Sequence, residues 1–147
     1  MEFTSEQLQK LSATIKRGDL FLINMDESNG ITPKDGESDR RKFFIVMGVT
    51  ESGTVYGGVV INSSIDKVPP HLRNWYIPLQ QYRYSFLQHD SYVNCLQIKE
   101  VPQNKFGSWL FLGCIEEIDL SLISNKLITS PMENAERLSR FGLGIRQ

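Results

Sequence analysis

A chain of 147 residues carrying 16 Lys and Arg against 17 Asp and Glu, with a net charge of −1, has the usual length of one domain and can bury a core without staples. Its 40% hydrophobic and 22% charged residues exclude a disordered or strongly cationic protein, so any nucleic-acid binding must come from a local patch. The opening MEFTSEQLQK lacks a charged start followed by an apolar run, and no stretch approaches a membrane span, which predicts a soluble, cytoplasmic protein with no membrane partner.

Thr4 with Gln7 has the spacing of a capping box, and Phe3 with Leu8 that of a hydrophobic staple. The spacing predicts a helix over 5–16, within an N-terminal segment 1–17, with Leu8, Leu11 and Ile15 on one face and Gly18 closing it. Residues 19–24 predict a strand. From 25 to 39 there is no periodicity, only turn pairs such as Asn29-Gly30 and Asp35-Gly36, so a long exposed loop is expected, either a functional lid or locally disordered.

Two continuous apolar runs, 43–49 and 55–61, flank the linker Thr50-Glu51-Ser52-Gly53-Thr54 and predict a hairpin. Neither run alternates with polar residues, so both faces are expected to be covered. The pair Gly57-Gly58 marks a sharp bend or bulge. Beyond a Pro-bearing connection at 67–74, residues 75–79, 84–87, 92–101 and 108–115 read as strands. Cys95 and Cys114 show no metal-ligand or redox spacing and are expected as buried free thiols. Two helices follow within 116–147. The first, over 119–127, turns Leu120, Ile123 and Leu127 inward; the second starts at a Ser130-Pro131-Met132-Glu133 capping box, turns Met132, Ala135 and Leu138 inward, leaves Arg137 and Arg140 solvated, and stops at Gly142.

Short strands with helices at the two ends and no βαβ alternation give a mainly β fold with peripheral helices (α+β). Its form is an SH3-like small barrel over 18–115 or a strongly bent antiparallel sheet, in a single domain 1–147. If the hairpin strands pair, Arg40, Arg41 and Lys42 at the start of one lie at the same rim as Asn62, Ser63 and Ser64 at the end of the other. Cations facing hydroxyl and amide groups suit a phosphate; ordinary solvated strand ends would look the same.

The order of features resembles the MazF/PemK family of small-barrel toxins over residues 16–128. Lys16-Arg17-Gly18-Asp19-Leu20 is similar to the family's Arg-Gly-Asp strand opening, RKFFIVM from Arg41 to its second strand, VVINSS from Val59 to its apolar run ending in hydroxyl residues, and SFLQHDSYV from Ser85 to its Asp-bearing strand. Gly113 before an amphipathic helix matches a further step. The resemblance implies a homodimeric endoribonuclease that cleaves single-stranded RNA without metal or other cofactor and is silenced by an antitoxin peptide or protein.

Carried over position by position, the resemblance makes Arg41 the cation on the developing phosphorane charge. It makes Asp90 an acid/base group, with the adjacent His89 as the side-chain type suited to proton transfer near neutrality. Asn62, Ser63, Gln88, Arg40 and Lys42 would hold the RNA. Neighbours on a strand face opposite ways, so His89 and Asp90 share a pocket only if the backbone bulges. Against this stands a barrel that only binds RNA or a partner protein, favoured by near-zero net charge and the uncharged Gln88. A third reading is an unrelated barrel with Trp75, Tyr76, Tyr82 and Tyr84 as exposed contact anchors.

Overall fold

The computed structural model describes residues 15–31, 39–108 and 110–143. Its strands are β1 (Asp19–Asp26), β2 (Asp39–Val49), β3 (Val55–Asn62), β4 (Tyr76–Leu79), β5 (Ser91–Asn94), β6 (Lys99–Pro102) and β7 (Leu110–Cys114), followed by helices α1 (Glu117–Thr129) and α2 (Ala135–Arg140). The fold is mainly β: one antiparallel sheet in the order β4-β5-β3-β2-β1-β7, with β6 also paired to β3. The expected helix over 5–16 lies almost wholly outside the described residues. Among the described residues no helix is long and apolar enough to cross a membrane.

The hairpin forms as its apolar runs require. Phe43 pairs with Ile61 and Ile45 with Val59, and both faces are covered. Leu20, Ile45, Met47, Val59 and Ile61 join Leu120, Ile123 and Leu127 of α1 in one core, while Phe21, Ile23, Met25, Phe44, Val46 and Val60 form a second core on the opposite face. Period-two alternation sorts the strands in this way, and each fully buried large side chain contributes roughly 1.5–3 kcal/mol.

The bend falls at the glycine pair, although the extra residue is on β2. Val46 opposes Gly58 and Gly48 opposes Gly57, leaving Met47 as the bulge. The glycines are there because other groups occupy the space of a side chain. A Cβ on Gly57 would stand 2.7 Å from the Phe141 ring, and one on Gly48 would stand 2.0 Å from the Phe141 carbonyl oxygen. At Gly58 a Cβ would meet the Ile45 carbonyl oxygen at 2.1 Å and the Phe44 ring at 2.6 Å. Gly58→Ala is therefore expected to cost about 1–3 kcal/mol by denaturant unfolding, because a strand carbonyl cannot yield as a flexible side chain would. A loss under about 0.5 kcal/mol would contradict this packing.

Several expected elements are replaced for reasons that lie far along the chain. β1 runs to Asp26, whose carboxylate caps a short 3-10 turn (Glu27–Asn29), so the stretch 25–39 is not one open loop; residues 32–38 lie outside the described part. Residues 84–87 form a turn, with Leu87 N–H donating to the Tyr84 carbonyl at 3.1 Å and both side chains buried. The strand expected over 92–101 breaks at 95–98. There Ile98 N–H donates to Glu133 at 2.8 Å, the Ile98 carbonyl accepts from Arg137 at 2.7 Å, and the Leu96 carbonyl accepts from Ser130.

Those bonds also displace the start of the last helix. Ser130 and Glu133 are committed to the strand break, so Asn134 caps α2 instead, its Oδ1 accepting from Arg137 N–H at 2.8 Å. Met132 and Ala135 are exposed rather than inward, and Leu138 is buried as expected. Arg137 is not simply solvated; it bridges Glu133 and Glu100. Gly142, at φ +77°, ends the helix. Of the four aromatics considered as exposed anchors, only Tyr82 is exposed; Trp75 and Tyr76 are half-buried, with the Trp75 indole donating to Thr129, and Tyr84 is buried.

Candidate functional site

The polar ends of β2 and β3 meet as their pairing demands. Arg41 lies on the same face as Phe43 and Ile45, while Arg40 and Lys42 lie on the other, with Phe44. Lys42 donates from Nζ to Asn62 Oδ1 at 2.7 Å, which fixes the amide across the hairpin and leaves its nitrogen to donate elsewhere. β5 is hydrogen-bonded to this end of β3, Tyr92 opposing Asn62, so the residues just before β5 overhang the rim.

The result is a hollow of about 210 Å³. Its floor is apolar, made by Leu22, Phe43 and Ile61; Arg40, Arg41 and Lys42 form one wall, Asn62 and Ser63 another, and His89 and Ser91 close it. Among the described residues that line it, none is acidic. Arg17, Arg83, Lys105, Arg137 and Arg140 all pair with carboxylates. Arg40 and Arg41 have no such partner among the described residues. Cations held together without acids are a standing attraction for an anion. Across the rim a groove of about 450 Å³ shares Arg40, Lys42, Asn62 and Ser63 with the hollow and adds Ser64, Asp66 and Lys67.

His89 and Asp90 separate, although both lie in the turn before β5 rather than on a strand, so alternation is not the cause. Nδ1 of His89 lies 2.9 Å from the Asp90 carbonyl oxygen. A carbonyl only accepts, so Nδ1 carries the proton, and in the neutral ring Nε2 holds the lone pair. The Ser91 hydroxyl donates to the His89 carbonyl at 3.1 Å, tying the same turn. The Asp90 carboxylate is spent elsewhere, accepting from Gln81 N–H at 2.8 Å. It does not line the hollow, and neither does the exposed Gln88.

Arg40, Arg41, Lys42, Asn62, Ser63 and His89 thus come together, and Asp90 and Gln88 do not. Ser91 is a wall residue that the sequence reading missed. Its signal was available, because counting back by two from the apolar Val93 puts Ser91 on the core-facing side of β5.

Neither cysteine offers a nucleophile to this region. Burial pushes the Cys95 thiol up to about 12. Cys114, exposed rather than buried as expected, is raised by desolvation and by the Asp19 carboxylate, 3.6 Å from its sulfur. No known family model matches the chain, and no curated protein matches it.

Proposed function

We propose that the hollow takes one phosphodiester of single-stranded RNA and that Arg41 and His89 cleave it without a metal ion. The observation that carries this reading is the convergence of Arg40, Arg41, Lys42 and one imidazole on a hollow with no acid among its described lining residues and with hydroxyl and amide groups opposite. In the reaction the ribose 2′-oxygen attacks the adjacent phosphorus, its proton passes to Nε2 of His89, and the 5′-oxygen departs and takes that proton back. The products end in a 2′,3′-cyclic phosphate and a 5′-hydroxyl. Arg41 presents its N–H fork to the phosphorane oxygens, while Asn62 and Ser63 hold the ribose or the non-bridging oxygens.

The resemblance to MazF/PemK toxins supports the same reading. On that basis the bent sheet is the family's small barrel, and the chain acts in the cytoplasm as a homodimer held inactive by an antitoxin. A second reading, binding without cleavage, is favoured by the Asp90 carboxylate being occupied by Gln81, which leaves His89 to serve as both base and acid.

Incubating the purified protein with single-stranded RNA in chelator separates the two. Cyclic-phosphate products are expected, formed about 10²-fold or more slowly by Arg41→Ala. Retention of RNA without products selects the binding module, and failure to bind RNA removes both.

A further inference from the structure

We propose that the groove on the far side of the rim is a second phosphate subsite, holding the next phosphodiester of the same strand. This rests on the reading of the hollow as an RNA site and extends it into a path. The two depressions are continuous, sharing Arg40, Lys42, Asn62 and Ser63. Successive side chains of a strand point to opposite faces, so the run Arg40-Arg41-Lys42 places cations on both sides of the rim. A chain lying over the rim meets Arg41 in the hollow, Lys67 in the groove, and between them Arg40 and Lys42, which line both.

The far wall is built rather than incidental. Arg73 donates from Nε to the Val68 carbonyl at 2.9 Å and from its terminal nitrogen to the Asp66 carbonyl at 3.2 Å. Those carbonyls flank Lys67, so its backbone is tethered on both sides. Asp66 N–H donates to Ser64 Oγ at 3.1 Å, and Val68 N–H to the Ile65 carbonyl at 2.9 Å, closing the turn. Lys67 is exposed on this clamped turn, lines the groove, and has no ion-pair partner among the described residues. Among the described residues Asp66 is the single acid in the groove wall, against Arg40, Lys42 and Lys67. The balance favours an anion, and the backbone of a flexible single strand delivers anions in series.

The test uses 2′-fluoro oligonucleotides, which lack the attacking hydroxyl, and follows affinity against salt by fluorescence anisotropy. The probes are a dinucleotide with one phosphodiester and no terminal phosphate, and a tetranucleotide with three phosphodiesters. Lys67→Ala is expected to weaken the tetranucleotide about fivefold and to flatten its log affinity against log salt by about 0.7, the loss of one contact on a single strand. The dinucleotide is expected to be unaffected by Lys67→Ala and weakened by Arg41→Ala. Asp66→Asn should tighten the tetranucleotide.

Unchanged tetranucleotide affinity and slope in Lys67→Ala overturns the second subsite while leaving the hollow intact. Equal weakening of both oligonucleotides also overturns it, since the groove would then belong to the first site. If Lys67→Ala weakens the tetranucleotide and Arg41→Ala weakens neither probe, the hollow reading fails and the groove is the primary site.

Discussion

Replacing Asp119 with Ala is expected to lower the unfolding free energy by about 3–5 kcal/mol, the usual cost of removing one partner from a buried ion pair. Asp119 is 3% exposed and accepts three hydrogen bonds from two side chains. Arg83 donates to it at 3.2 and 2.8 Å, and the Tyr84 hydroxyl donates to it as well. Tyr84 oxygen in turn accepts from Glu116 N–H at the start of α1, at 3.1 Å. Removing the carboxylate leaves a half-buried guanidinium with only Glu116 and a buried hydroxyl without its acceptor. Glu116→Ala is the control. Its side chain is more than half exposed, and about 1 kcal/mol or less is expected.

The same network carries a pH signature. Tyr84 is pushed up to about 12, first by burial and then by its bond to Asp119. A phenol whose folded pKa exceeds its unfolded value of about 10 contributes stability that is complete below pH 10 and lost as pH rises from about 10 to 12. Denaturant melts across that window should show the decline in the wild type and a flatter profile in Tyr84→Phe. A loss below about 1 kcal/mol in Asp119→Ala, or identical profiles, would remove the network from any account of stability. The network also bears on the site, because the Tyr84 ring packs tilted against Phe86, centroids 5.5 Å apart, and Phe86 meets Phe43 of the hollow floor edge-on with centroids at 5.7 Å.

On the proposed mechanism, His89→Gln is expected to slow RNA cleavage by about 10²–10⁴-fold while changing the affinity for an uncleavable 2′-fluoro strand less than threefold. Gln retains hydrogen-bonding capacity but cannot carry a proton, so it separates holding from chemistry. Asp90→Asn is the informative companion. The Asp90 carboxylate faces Gln81 N–H rather than the hollow, and Asn keeps an acceptor there, so cleavage within about threefold of the wild type is expected. The reverse pattern, a dead Asp90→Asn and an active His89→Gln, would reassign the proton carrier and require the turn at 89–90 to rearrange on binding.

The contrast between these two neighbours illustrates what the sequence can convey. The hairpin and its cationic rim are legible because apolar runs and polar termini are local patterns, and antiparallel pairing then brings Arg41 opposite the end of β3. The parting of His89 and Asp90 is not legible in this way, because both lie in the turn before β5, where the Asp90 carboxylate answers the demand of Gln81 N–H for an acceptor. The break at 95–98 and the late start of α2 were hidden for a related reason. Ile98 N–H finds Glu133 thirty-five residues along the chain, and a capping box read from Ser130 and Glu133 cannot know that both side chains are already engaged. Tyr84 and Leu87 have strand-like composition, yet the acceptor that fixes the Tyr84 hydroxyl is Asp119, equally distant.

Phe141 seats its ring against Gly57 and its carbonyl against Gly48, which has a bearing on how the molecule is made. The β2–β3 hairpin pairs residues close together in the chain, but its glycine bend stays uncovered until a segment synthesised much later arrives. Maturation on the ribosome should therefore be late and abrupt, with an emerging chain that exposes a greasy half-finished sheet to chaperones.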